Sequence, residues 1–252
     1  MRKLTILLYV LLFLAAVGAR SVAAAPNAVI QNDTGYLDST GYYHVVGEVK
    51  NMGDVWLQSI VISATLKDEN GATVDVKQGS PWLTRLPPQV SVAFDVVEMD
   101  YSKSAMIRSY VLSFTYQTGK PLPALLKIEN LTSSKNSVGW LQVQGRVVNV
   151  GDSESDNTIV AGTFYGSNGR VVCAAFTSLT DSAAISPGTS QPFILTIVDS
   201  NRSDFVRTYS VAAESVEYTS IVEFPWQPTI MGALLVVCML GLRKRTSALS
   251  DY

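Results

Sequence analysis

YHVVGEVKNMGD, at residues 43–54, recurs 98 residues later as LQVQGRVVNVGD, at residues 141–152. In both stretches apolar or small residues alternate with polar ones. An alternation of period two is typical of a β-strand with one buried face. Each stretch therefore predicts a half-buried strand at the same place in two related units.

The repeat extends well beyond these two stretches. With the same shift of 98, four further residues find counterparts: Thr65, Leu66, Asn70 and Gly71 align with Thr163, Phe164, Asn168 and Gly169. One inserted residue changes the shift to 99, which aligns Phe94 with Phe193, Arg108 with Arg207 and Tyr110 with Tyr209. Matches of type and spacing over such a length argue for two copies of one fold.

Turn signals divide each copy into short strands. Asn70-Gly71 and Asn168-Gly169 predict tight hairpins with positive φ at both central positions. Pro87-Pro88 and Pro187-Gly188 predict a later turn, followed by strands at residues 90–97 and 192–198. No long amphipathic helix is apparent between the hydrophobic ends of the chain. The pattern predicts an all-β fold built from β-sandwiches.

The N-terminus has the order of a secretory signal peptide. Arg2 and Lys3 precede an apolar run at residues 4–19, and small residues fill positions 22–25. We predict a signal peptide at residues 1–25, although Pro26 disfavours cleavage directly after Ala25. The alternative is an uncleaved N-terminal anchor, for which the apolar run is shorter than the ~20 residues that span a bilayer.

A second apolar segment, residues 228–242, lies between Trp226 and the basic cluster Arg243-Lys244-Arg245. Tryptophan favours the membrane interface and basic residues favour the cytoplasmic side, so the segment predicts an outside-to-inside anchor. The bulk of the chain is then extracytoplasmic, with the C-terminus cytoplasmic. The alternative is a buried C-terminal helix of a soluble domain. The segment is short for a membrane span, a gap that a thin bilayer or snorkelling arginines could close.

Two resemblances accompany these patterns. Glu223-Phe224-Pro225, followed by the apolar run and the basic cluster, resembles the Pro-Glu-Phe-Pro anchoring tail of archaeal surface proteins, with Val222 in place of the first proline. The resemblance implies a membrane anchor and leaves open removal of the tail with transfer to a lipid.

Both copies also resemble the FxLYD domain, a small β-sandwich of bacterial and archaeal surface proteins. The shared order is Gly-x-Val-x-Asn-x-Gly, a strand ending near an Asn-Gly turn, and a Pro-Gly turn before a strand with phenylalanine. The name-giving motif is degenerate at residues 64–68 and 162–166. The resemblance implies immunoglobulin-like modules for spacing or adhesion, with no general catalytic role.

These features divide the chain as follows: signal peptide 1–25, first sandwich 26–118, linker 119–123, second sandwich 124–219, membrane anchor with its basic stop 220–245, and cytoplasmic tail 246–252. The linker contains Pro121 and Pro123, which cannot donate to a sheet.

Charge and cysteine content narrow the function classes. Residues 26–225 carry 13 Lys or Arg against 20 Asp or Glu, and a surface of that sign repels nucleic acid. Cys173 lies in a strand-like run and Cys238 in the predicted anchor, so we expect no disulfide between them. We expect Cys173 to fill the core, where burial makes a thiol inert.

Catalytic groups are scarce. His44 is the single histidine, and its strand position predicts an ordinary surface residue. Neither a Ser-His-Asp arrangement nor a multi-histidine metal site can be completed. An enzyme would need carboxylates such as Glu48 and Asp54 to meet in a cleft. We therefore predict no catalytic residue and no cofactor.

Three kinds of binding site are considered. Asp152, Glu154 and Asp156 alternate in one loop and could collect oxygen ligands for Ca²⁺, or simply form a solvated acidic loop. Asn32, Asn130 and Asn201 fit the N-glycosylation sequon. Aromatic candidates for stacking on sugars are Tyr36, Tyr42, Trp56, Trp82 and Trp140, although Tyr42 and Trp140 occupy equivalent positions, which favours a structural task.

The sequence thus predicts a non-enzymatic surface protein whose two sandwiches form an interaction or spacer module held at the membrane bilayer. The alternative is an envelope glycan-binding or adhesion protein, with glycans or other envelope proteins as partners.

Overall fold

A computed structural model describes residues 27–179 and 184–223. We call residues 27–118 the first half and residues 124–223 the second half. The first half contains β1 (Ala28–Leu37), β2 (Tyr43–Asn51), β3 (Leu57–Lys67), β4 (Thr73–Gly79), β5 (Arg85–Leu86), β6 (Ser91–Glu98), α1 (Tyr101–Met106) and β7 (Ser109–Thr118). The second half contains β8 (Leu126–Lys135), β9 (Leu141–Asn149), β10 (Ile159–Tyr165), β11 (Val171–Ser178), β12 (Ser190–Thr196), α2 (Ser200–Phe205) and β13 (Thr208–Glu214).

The predicted all-β class is confirmed. The strands form four antiparallel sheets, two in each half: sheet A has the order β1-β2-β6, sheet B β4-β3-β7 with β5 also on β3, sheet C β8-β9-β12, and sheet D β11-β10-β13. One buried core lies within each half, around Phe94 in the first and Phe164 in the second. Each half is therefore two sheets packed face to face over apolar side chains.

The bounds of the strands in the two halves follow the shifts found in the sequence. β2 and β9 are offset by 98 residues, as are the starts of β4 and β11, whereas α1 and α2 are offset by 99. The Asn-x-Gly motif explains part of this equivalence, because Asn51 and Asn149 are both fully buried. Asn149 donates to the carbonyls of Ser153 and Ile185, both at 2.7 Å, and accepts from the Gly151 amide at 2.9 Å. Asn51 makes the same three kinds of bond, so this amide fixes the turn after the strand in each half.

The glycine of the motif gives room to the phenylalanine of a neighbouring strand. Gly47 pairs with Phe94 and Gly145 with Phe193 across the ladders of sheets A and C. A Cβ atom on either glycine would lie 2.8 Å from the paired ring. Each aromatic ring therefore lies on bare backbone, and a larger residue at either glycine would displace it.

The hairpins after β3 and β10 are present, but their predicted turn type is wrong. Gly71 and Gly169 have φ of 77° and 75°, whereas Asn70 and Asn168 are not among the residues with positive φ. The Gly71 amide donates to the Asp68 carbonyl, which makes Glu69 and Asn70 the centre of a type I turn. The glycine then forms a bulge, as in hairpins with three-residue loops.

The two halves pack against each other through the outer faces of sheets A and D. Val46 and Ala93 point away from the first core yet are 0% and 7% exposed. Ala161 and Ala212 lie on the face of sheet D that points away from the second core, and they pack against residues of the first core. Short side chains let the two sheets approach closely, so the order of layers is B, A, D, C.

The chain continues past β13 as an extended segment. The amide of Val211 donates to Glu223 and the amide of Glu223 donates to Val211, both at 2.8 Å. The folded body therefore includes residues 220–223, which the sequence assigned to the anchor. The predicted signal peptide and the apolar segment at residues 228–242 lie outside the described residues, and the described part of the chain has no helix able to cross a membrane.

Candidate functional site

A groove opens where the two halves meet. Its first part, a cavity of about 310 Å³, is lined from the first half by Tyr36, His44, Trp82 and Asp95 and from the second by Phe176 and Arg202. An adjoining cavity of about 380 Å³ continues past Leu37 and Phe205 and shares Asp38, Asp199 and Arg202 with the first. We call the two together the junction groove. Neither half alone contains it.

His44 lines the first of these cavities and its side chain is only 17% exposed, so its interpretation as an ordinary surface residue is wrong. Its Nδ1 lies 3.0 Å from both carboxylate oxygens of Asp95, and its Nε2 lies 3.4 Å from Asp38. Burial opposes charge on the imidazole, but the hydrogen bond and charge of Asp95, together with Asp38, hold the pKa of His44 above its usual value. The residue does point away from the first core, as the alternation predicts, but the second half covers that face.

Tyr36 joins His44 to the second half. The two rings are stacked with centroids 5.0 Å apart and an interplanar angle of 6°. The Arg202 guanidinium lies 3.5 Å from the centre of the Tyr36 ring, in cation–π geometry. Burial, followed by the charge of Asp95, raises the pKa of the Tyr36 phenol. Histidine, tyrosine and arginine therefore form one stacked series across the junction.

Asp199 connects the same elements through the backbone. Its Oδ1 accepts from the Arg202 amide at 3.1 Å and so caps α2, while its Oδ2 accepts from the Ser39 amide of the first half at 3.1 Å. Asp199 is only 8% exposed. It fixes α2, and with it Arg202, against the turn after β1.

Trp82 and Phe176 form an aromatic pair at the other side of the groove. Their rings are stacked at 5.0 Å with an interplanar angle of 26°, and Phe176 is 50% exposed. Of the aromatic residues considered for sugar binding, Tyr36 and Trp82 line the groove. Tyr42 instead stacks on Tyr101, and Trp56 and Trp140 lie elsewhere.

Cys173 also lines the groove and is 4% exposed. Burial raises the pKa of its thiol, which suits the predicted core role. Glu48 is also buried, at 3% exposure, and accepts from the Tyr165 hydroxyl of the second half at 2.6 Å and from Asn32 Nδ2 at 2.9 Å. Asp54, by contrast, is exposed in the turn after β2. The structure gives these two carboxylates different surroundings.

The acidic loop does not gather its carboxylates around one point. Asp152 accepts from the Tyr218 hydroxyl at 3.0 Å, Glu154 from Ser186 at 3.5 Å, and the Asp156 amide donates to Glu217 at 2.9 Å. Across residues 27–179 and 184–223, no group of three or more His, Cys, Asp or Glu side chains is arranged to hold a metal ion.

The sequon asparagines are exposed but differ in their surroundings. Asn32 and Asn130 occupy equivalent bulges of β1 and β8, with φ of 57° and 56°. Asn201 lies in α2 beside the junction groove. Asn32 Nδ2 donates to Glu48, which also accepts from Tyr165 of the second half, so a glycan on Asn32 would lie beside a contact between the halves.

Groove residues that the sequence reasoning missed include Asp38, Asp95, Phe176, Asp199 and Arg202. One signal could have found Asp95, since the repeat is broken at that position. His44 stands where the second half has Gln142, and Asp95 stands where it has Ile194. A polar residue whose counterpart is apolar has a task outside the shared fold.

No family model and no curated protein matches this sequence. Among solved structures, red sea bream transglutaminase is 11% identical, with a TM-score of 0.26 over 84% of this chain and 32% of that one. An Amycolatopsis orientalis exo-chitosanase, solved with PNP-beta-D-glucosamine, is 11% identical, with a TM-score of 0.30 over 79% of this chain and 26% of the other. The chain thus spans about a third and about a quarter of these proteins. At these TM-scores neither likeness bears on fold or activity.

Proposed function

We propose that this chain is a non-enzymatic protein of the cell membrane, with its two halves outside the cell as immunoglobulin-like, FxLYD-like sandwiches that act together as an interaction module. The junction groove is the observation that carries the proposal. It needs residues of both halves, and His44 and Asp95 in it differ from their repeat counterparts Gln142 and Ile194. A mere spacer would need no such groove.

The state of the polar groups supports a binding role over catalysis. His44 is held between Asp95 and Asp38, and Asp199 is occupied by two backbone amides. A general base must be free to take a proton from a substrate. In the groove these groups hold each other in place, as the walls of a binding site require.

The position of Glu223, the last residue that the structure describes, supports the anchor. Glu223 is paired with β13, and the predicted apolar segment follows within a few residues. The module would then lie close to the outer surface of the bilayer, with little free tether between them.

Thiol labelling of intact cells tests this topology. Ser167 is exposed in the hairpin between β10 and β11, and Ser250 lies in the predicted cytoplasmic tail. A membrane-impermeant maleimide should label full-length Ser167→Cys on intact cells, and Ser250→Cys only after lysis. The unsubstituted chain is the control for Cys173 and Cys238. Equal labelling of both variants before lysis, or recovery of the chain in the soluble cytoplasmic fraction, would refute the proposal.

Envelope glycan binding is the second candidate, favoured by the Trp82–Phe176 pair. Aromatic faces stack on the apolar faces of sugar rings, while carboxylates and guanidinium groups bond hydroxyls. We expect envelope polysaccharide to bind the full chain in calorimetry and Phe176→Ala to weaken that binding. Tyr101→Ala, which removes an exposed ring outside the lining of the groove, is the control. Equal binding by both variants, or none by the unsubstituted chain, would remove this candidate.

A further inference from the structure

The two halves differ at the outer edge of their last strands, β7 in the first half and β13 in the second. In the second half, the outer edge of β13 is paired by the chain itself: Ser220 donates to Ala213 at 2.9 Å, and Glu223 and Val211 exchange two bonds. Leu126 of β8 donates to Thr219 at 3.1 Å, so this segment closes the seam between β13 and β8. In the first half the chain runs on into the linker instead. Within the part of the chain that the structure describes, β7 pairs only with β3.

Burial of the inward side chains reflects this difference. In the second half Tyr209, Val211 and Ala213 are at most 6% exposed. Their counterparts in β7, Tyr110, Leu112 and Phe114, are only partly buried, as are Ala28 and Ile30 of β1 across the same seam. The apolar seam of the first half therefore lacks the additional segment that covers the corresponding seam of the second half.

β7 also lacks the devices that keep edge strands apart. Its sequence, SYVLSFTYQT, contains neither a charged residue nor a proline. The other outer strand of sheet B, β4, carries Asp75 and Lys77, β12 carries Pro192, and β8 carries a bulge. Charges, prolines and bulges on an edge prevent pairing with another chain, and a long, uncharged edge strand invites it.

We propose that β7 pairs antiparallel with β7 of a second copy of this chain. A register centred on Ser113 places Tyr110 opposite Tyr116 and Leu112 opposite Phe114, so that the inward apolar side chains of both copies stay on one face. The outward residues, including Ser113, Thr115 and the 53% exposed Val111, are small or β-branched and suit a continuous sheet. Sheet B of one copy and sheet B of the other then form a single sheet.

Self-pairing fits β7 better than pairing with a foreign strand. Edges that select a different partner use complementary charges, and β7 has none to offer or to match. Twofold pairing brings no like charges together along the strand. This inference deepens the proposed interaction module by naming a partner, and anchoring in one membrane would raise the local concentration of copies.

Light scattering of the full chain in detergent tests the pairing. We expect a dimer for the unsubstituted chain and at least a roughly tenfold weaker dimer for Ser113→Lys, because two lysines would meet at the twofold axis. Gln78→Lys, an exposed substitution on the opposite edge strand, is the matched control and should leave the dimer unchanged. Circular dichroism of each variant checks that it is folded.

Cross-linking in membranes gives a second readout that needs no dissociation. Ser113→Cys should form a disulfide-linked dimer on mild oxidation, whereas Gln78→Cys should not. A monomeric unsubstituted chain, a dimer insensitive to Ser113→Lys, or recovery of a different protein on β7 would overturn the proposal. The maleimide labelling above is independent of this result, so failure of the pairing and failure of the membrane topology are distinguishable.

Discussion

At the residue scale, each half depends on one buried asparagine. Asn149 uses its donors and its acceptor inside the protein, and a buried polar group that loses its partner costs about 1 to 3 kcal/mol. We expect Asn149→Ala to lower the free energy of unfolding by about 3 kcal/mol, measured by chemical denaturation.

Two variants make this prediction specific. Asn149→Asp keeps the shape and the acceptor but loses both donor bonds, so it should also destabilise the protein. Gln144→Ala changes an exposed polar residue of the same sheet and should alter stability by less than about 0.5 kcal/mol. An Asn149→Ala protein as stable as Gln144→Ala would show that the amide is not needed.

His44 makes stability depend on pH in a defined direction. The pKa of His44 is raised in the folded state by Asp95 and Asp38, so its contribution is complete below the unfolded pKa of about 6.5. That contribution is lost as pH rises through the folded pKa. The stability difference between the unsubstituted chain and His44→Gln should therefore shrink from pH 6 towards alkaline pH, as measured by denaturation at each pH. A difference that grows with pH would contradict the geometry of the groove.

The environment of His44 could be predicted only in part from the sequence. Alternation in β2 correctly indicates that His44 and Glu48 point away from the core of their own half. It contains no information about what covers that outer face, because period-two patterns report on one sheet at a time. The groove arises from contacts between residues about 160 positions apart, such as Ser39 and Asp199, which no local pattern encodes.

At the element scale, the hairpin after β3 distinguishes two turn types. In the observed type I turn with a bulge, only Gly71 has a left-handed backbone, and a Cβ there would meet no atom within 4 Å. Gly71→Ala should therefore cost about 1 kcal/mol from the backbone alone. Asn70→Ala should be nearly neutral in the same denaturation experiment. Comparable losses for both variants would indicate the turn type expected from the Asn-Gly dipeptide.

Strands were predictable where helices were not. The repeat and the alternation located β2 and β9, and the proline turns located β6 and β12 to within a few residues. The helices α1 and α2 span only six residues each, too few to show a helical period. Their signal is the capping aspartate, Asp100 or Asp199, whose side chain accepts from amides of the first turn.

At the scale of the whole molecule, the account depends on the sheets that face each other between the halves. The repeat supplies a direct comparison, because Val46 corresponds to Gln144 and Ala161 and Ala212 correspond to Ser63 and Ser113. In each pair the apolar residue lies on the face buried between the halves, and the polar residue lies on the outer face of the other sheet. This contrast was present in the sequence, but it indicates an interface only when the two copies are compared by layer.

The two halves pack against each other through these sheets. Calorimetric unfolding of the full chain tests this packing most directly, with the residues Val46 and Gln144 each replaced by the other's side chain. Val46→Gln places an amide between the packed sheets and should cost about 2 kcal/mol, whereas Gln144→Val changes only an exposed position. The account predicts one cooperative transition for both halves, lowered by roughly 4 to 8 °C in Val46→Gln and unmoved in Gln144→Val. Two separate transitions, neither of them shifted by Val46→Gln, would contradict it.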